Sequence, residues 1–91
     1  MISKRYTIPY TVMMQNVDDE TLLFDSQNGL FFALNESGAK MWEVMERHEE
    51  FSAVVSELLE LFEVERQRLE NDLEIFAQSL MEQGLLEVSD A

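Results

Sequence analysis

Apolar positions up to Leu34 fall in short runs rich in β-branched and aromatic residues, and from Asn35 onward they recur at helical spacing. Thr7-Ile8-Pro9-Tyr10-Thr11-Val12-Met13-Met14 reads as an arm running into a first strand, with Pro9 tolerable only at a strand's start or edge. Val17-Asp18-Asp19-Glu20 is a polar turn, Thr21 to Phe24 a second strand, Ser26-Gln27-Asn28-Gly29 a turn, and Leu30 to Leu34 a third strand. Asn28-Gly29 between two apolar runs is a strong hairpin signal, because both residues tolerate positive φ. A two-residue Asn28-Gly29 turn and a four-residue loop from Ser26 pair different residues, and a slip of one residue exchanges the two faces of the strand.

After that point Asn35 or Ser37 caps a first helix with the stripe Gly38, Met41, Trp42 and Met45. His48-Glu49-Glu50 breaks the stripe. Ser52 then caps a second helix bearing Phe51, Val54, Val55, Leu58, Leu59 and Phe62. A third helix runs from about Glu65 to Gln83, roughly 28 Å at 1.5 Å per residue, with the stripe Leu69, Leu73, Phe76, Ala77 and Leu80 and a left-handed stop at Gly84. Leu85-Leu86-Glu87-Val88 is a short apolar tail able to pack back on the core.

Three strands and then three helices predict an α+β, winged-helix-like domain: a sequential antiparallel meander with the helices gathered on one side and the third strand at an edge. At 91 residues the chain is one domain, divided into an arm (1–10), a sheet (about 11–34), helices (about 36–83) and a tail (84–91).

Composition narrows the chemistry. There is no cysteine, which removes disulfides, thiolate metal sites and cysteine nucleophiles and is compatible with the cytoplasm. A single histidine, His48, leaves no Ser–His or His–His pair for the common catalytic constellations, and with no glycine-rich phosphate loop, thiolate or histidine cluster no resident metal, nucleotide or flavin is expected. Six basic against 19 acidic side chains give a net charge of −13, which repels a phosphate backbone and argues against nucleic acid. Lys4 and Arg5 imitate the start of a signal peptide, but Thr7, Pro9 and Thr11 interrupt any apolar stretch after them. The longest apolar run, Leu30 to Leu34, is far below the roughly 20 residues of a membrane span.

The stretch Asp25 to Ala39 resembles the PqqD family, in which a strand–turn–strand leads into a Leu-Asn pair, a hydroxyl residue, a small residue and a bulky apolar one; Leu34, Asn35, Ser37, Gly38 and Met41-Trp42 stand at those places. A second block, Asp72-Leu73 with Phe76 and Leu80 and then Gly84-Leu85-Leu86, is similar to the family's last helix and its exit, with Leu73 where valine is usual. The resemblance spans about residues 12 to 88 and implies a non-catalytic recognition element. Such a protein binds the leader segment of a ribosomally made precursor peptide and presents it to a modifying enzyme, either a radical-SAM protein or a leader peptidase. In the family the leader adds as a strand beside the third strand, in a cleft walled by the third helix. Carried onto this chain, that implies a peptide site at Leu30, Phe31, Phe32, Ala33, Leu34, Arg66, Leu69, Asp72, Leu73 and Phe76. The strong acidity departs from the family and points to a leader with basic residues or a basic surface on the enzyme.

Physics alone reaches a related expectation. Leu30 to Leu34 is an apolar edge without proline or lysine to protect it, and such an edge needs a cover. A peptide strand is one cover; a helix, the N-terminal arm or a second copy of the chain are others. Among other features, His48 reads as a solvated helix-end residue and Asp18-Asp19-Glu20 as a polar turn without the spacing of a calcium loop. Met13, Met14 and Met41 read as core. Arg66 and Arg68 open the third helix against the preference for acids there, which suggests an anionic contact. Two other functions fit the same features: an acidic winged-helix module that regulates by binding another protein, and a small subunit docked on a basic surface.

Overall fold

The computed structural model describes residues 4–90. Its elements are β1 (Lys4–Thr7), β2 (Val12–Val17), β3 (Glu20–Asp25), β4 (Leu30–Leu34), α1 (Glu36–Arg47), α2 (Phe51–Leu61), α3 (Arg66–Glu82) and β5 (Glu87–Asp90). β2, β3 and β4 form the expected antiparallel meander in sequential order, with β4 at an edge. Two turns set its register. Asp18, at φ 56°, leads a two-residue turn that pairs Val17 with Glu20. At the other end a four-residue loop pairs Asp25 with Leu30. Gly29 closes that loop at φ 68°, its N–H donating to the Asp25 carbonyl at 2.8 Å. Asp25 is buried, and its carboxylate accepts from the Gln27 N–H (3.0 Å), the Asn28 N–H (3.3 Å) and Asn28 Nδ2 (2.8 Å). That local alternative to a tight turn is what favours four residues over two.

Two segments differ from the sequence reading. The arm and the tail are partners: β1 and β5 pair antiparallel, with Tyr6 opposite Val88. β1 also reaches the α1–α2 link, where the Tyr6 N–H donates to the Glu49 carbonyl at 2.7 Å and Arg5 bridges to Glu50. An arm and a tail cannot be read as a pair from the sequence, because their residues are some eighty positions apart and nothing local sets their register. Residues 1–3 of the arm and 91 of the tail lie outside the described residues.

The core joins the helical stripes to the inner face of the sheet. Trp42, Val44, Val54, Val55, Leu58, Leu73 and Leu85 are fully enclosed, with Leu23 of β3 and Tyr6 of β1 packed into the same cluster. Burial holds the Tyr6 phenol well above its usual pKa, and the Phe51 ring meets it edge-on at 6.1 Å. Met14 and Met41 belong to or pack on this core, but Met13 is 48% exposed, because Met13 pairs with Phe24 on the outer face. Asn35, not Ser37, caps α1 by accepting from the Gly38 N–H at 2.7 Å. Helix α2 starts at Phe51 after Glu50 and has no side-chain cap, so Ser52 lies inside it. His48 is less solvated than expected: its Nε2 lies 2.8 Å from Glu57 Oε1, tying the end of α1 to α2. Arg47 and then His48 hold the Glu57 carboxyl below its usual pKa.

Candidate functional site

Among the described residues, strand β4 has no partner on its outer side. In an antiparallel ladder, residues facing one neighbour alternate with residues facing the other. The two-residue turn makes Val17–Glu20 a hydrogen-bonded pair, so Glu20, Leu22 and Phe24 bond to β2 and Thr21, Leu23 and Asp25 bond to β4. Their β4 partners Leu34, Phe32 and Leu30 are thereby satisfied. The N–H and C=O groups of Phe31 and Ala33 point outward from the free edge. From Phe31 the side chains alternate as well: Phe32 and Leu34 are half-buried against the core, whereas Phe31 and Ala33 are exposed, and Leu30 at the strand's start is exposed too.

The edge runs directly into a cavity of about 490 Å³. The Asn35 cap brings α1 down beside the end of β4, and Gly38 lets α3 approach. A Cβ on Gly38 would stand 3.3 Å from Phe76 Cε1 and 3.0 Å from Asn35 Oδ1, so the Phe76 ring leans against bare backbone. Gly38 and Met41 of α1, Phe62 and Val64 of the α2–α3 link, and Leu69 and Phe76 of α3 give the cavity its apolar lining. Asp72 and Arg68 also line it, with Arg68 Nε 3.9 Å from Asp72 Oδ2 and both side chains more than half exposed. Ile75, also on the lining, is 69% exposed.

The structure therefore brings Leu69, Asp72 and Phe76 together in one cavity whose β4 end is Asn35. Leu30 to Leu34 supply the edge that leads to it but no part of its lining. Two residues of the expected site lie elsewhere. Leu73 is fully enclosed in the core, because it stands about 100° round α3 from Asp72, at the margin of the stripe turned away from the cavity. Arg66 lies outside the lining and meets Glu70 at 3.6 Å, so the anionic neighbours of both Arg66 and Arg68 are on their own helix. Sequence reasoning missed Gly38, Phe62, Val64 and Ile75 as site residues and placed Met41 in the core alone. Ile75 left a signal, an isolated large apolar residue off the stripe of α3. Phe62 and Val64 left none, since only the path of the α2–α3 link turns them toward Phe76.

What the cavity and edge present is a hydrogen-bonding rail followed by an apolar pocket. Among the described residues there is no group of three or more His, Asp or Glu side chains placed to hold a metal ion. No helix among them is long and apolar enough to cross a membrane.

Comparison with known proteins agrees with this architecture. No curated protein matches the chain. Among solved structures, TbiB1 in complex with the TbiA(beta) leader peptide is 30% identical, with a TM-score of 0.78 over 89% of this chain and 94% of that one. A lasso peptide synthetase B1 complexed with the leader peptide is 24% identical and shares the fold, with a TM-score of 0.75 over 91% and 98% of the two chains. The family described as coenzyme PQQ synthesis protein D matches residues 20–86, from the second strand of the meander to the exit of α3. On that match, and on its likeness to TbiB1, the chain belongs to the PqqD family.

Proposed function

We propose that this chain is a non-catalytic adaptor. It binds the leader segment of a ribosomally made precursor peptide as a strand added to β4, and presents that peptide in the cytoplasm to a modifying enzyme, a radical-SAM protein or a leader peptidase. The observation that carries this reading is the free β4 edge, with the outward amides of Phe31 and Ala33, opening into the cavity between α1 and α3. Its likeness to TbiB1, a protein seen with a leader peptide, supports the same reading.

Energetics require both parts of the site. Two outward residues offer at most four inter-strand hydrogen bonds, worth about 2–6 kcal/mol in total at ~0.5–1.5 each. Micromolar affinity needs about 8 kcal/mol, and ordering a flexible leader costs about 2–5 more. At least about 4 kcal/mol then remains, so two or more apolar leader side chains must be buried at about 1.5–3 kcal/mol each, and the pocket lined by Met41, Phe62, Leu69 and Phe76 has the chemistry to take them.

The proposal is tested by searching the genes adjacent to this one for a short precursor peptide and titrating the chain with the synthetic leader of any that is found. Micromolar binding is expected, with hydrogen-exchange protection of the Phe31 and Ala33 amides and shifted resonances at Phe76. A leader that binds without protecting those two amides refutes strand addition, and absence of binding refutes the adaptor role.

A further inference from the structure

The outer face of the meander is apolar where a half-solvated sheet is ordinarily polar. It carries Met13 and Val17 of β2, Leu22 and Phe24 of β3, and Phe31 of β4, in register across the three strands. Met13, Val17 and Phe31 are 48, 46 and 56% exposed, and the Phe24 and Phe31 rings lie 4.7 Å apart. The rows Met13–Phe24–Phe31 and Gln15–Leu22–Ala33 contain no charged side chain. Charge begins only at the turn, with Asp18, Asp19 and Glu20. Scattered exposed apolar residues are ordinary; a contiguous uncharged set is the kind of patch that is often functional even on a monomer.

We propose that this face is a docking surface for the modifying enzyme, meeting an apolar patch of that enzyme rimmed by lysine or arginine. The identity of the partner rests on the adaptor function proposed above; the surface meets the leader site only along β4, where Phe31 and Ala33 turn their side chains to the face and their amides to the edge. Two arguments choose this occupant over a second copy of the chain. Three strands about 4.8 Å apart, each contributing about five residues at 3.3 Å, give a face of roughly 250 Å². A stable dimer needs about 800 Å² from each partner, so this face alone suits a transient contact. A second copy would also bring its own −13 charge and place two sets of Asp18, Asp19 and Glu20 near one another. A basic rim instead meets those acids with the opposite sign, which speeds encounter and fixes orientation.

The test uses the purified full chain, the leader peptide that it binds, and any radical-SAM protein or leader peptidase found among the adjacent genes. The Met13→Lys/Val17→Lys double variant puts positive charge on the face at two exposed positions outside the leader site; Val17→Lys alone, at the strand end, serves if the double variant melts early. Expected results are binding of the enzyme to the unaltered chain, loss of that affinity by about tenfold or more in the variant, weakening with added salt, and leader affinity unchanged. The proposal is overturned by equal enzyme binding to both proteins, by no enzyme binding at all, or by leader affinity falling in parallel. It is also overturned by a dimer of the unaltered chain that the same substitutions dissolve. Failure of the unaltered chain to bind its leader is a different result, and it refutes the adaptor reading instead.

Discussion

Ala33→Pro separates the leader edge from the fold. The Ala33 N–H points away from β3, opposite Leu22 in a non-hydrogen-bonded pair, so proline there removes no bond of the existing sheet. Its methyl is exposed, so no core contact is lost either. Proline also favours an extended conformation at the preceding residue, which Phe32 already has. A leader strand would lose one donor and find a pyrrolidine ring against its carbonyl. An acceptor left unsatisfied costs about 1–3 kcal/mol, or about 5- to 150-fold in affinity. Phe32→Pro is the matched control: it removes a bond to β3 and the half-buried ring, and should lower stability by about 3 kcal/mol or more. The assay is fluorescence polarisation of a labelled leader, with a thermal melt of each variant. An Ala33→Pro protein that melts normally and binds the leader with undiminished affinity would refute the edge as the site. Melting as early as Phe32→Pro would refute the alternation that turns the Ala33 amide outward.

Three further outcomes follow from the geometry. Gly38→Ala gains about 0.5–1 kcal/mol of helix propensity, but its methyl presses on Asn35 Oδ1 and pushes Phe76 into the cavity; leader affinity should fall while the melting temperature changes little. Asp25 has a lowered pKa, chiefly from the Asn28 side-chain bond, so its stabilisation is complete above the unfolded carboxyl's value near ~4 and is lost as pH falls through the lower folded value. The gap in melting temperature between the unaltered chain and Asp25→Asn should therefore close below about pH 4, and a gap independent of pH would contradict it. Tyr6 has a buried hydroxyl with no hydrogen-bond partner among the described residues, so Tyr6→Phe should melt at the same temperature or higher; a marked loss would mean that the hydroxyl is satisfied after all.

The sequence by itself determined the elements and their order. The change from short β-rich runs to helical spacing near Asn35 reflects backbone geometry that acts over a few residues, and the cap, the Gly29 turn and the three helical stripes follow from it. It also determined that β4 would be an edge, because strands joined by short turns pair in sequence. Tertiary structure decided whatever depends on which distant segments meet. It paired β1 with β5, since a register between residues eighty positions apart is set by packing on the helices and not by any turn. It chose the four-residue loop, through three donors gathered on the Asp25 carboxylate, and with that loop the outward turn of Phe31 and Ala33. It sent Leu73 into the core while Asp72 and Ile75, its near neighbours in sequence, reached the surface, because a helical stripe of moderate width does not tell which of its margins lies beneath a neighbouring helix. And it assembled the pocket from Gly38, Phe62 and Phe76, three residues whose sole relation is that the α1 backbone lacks a side chain where the α3 ring arrives.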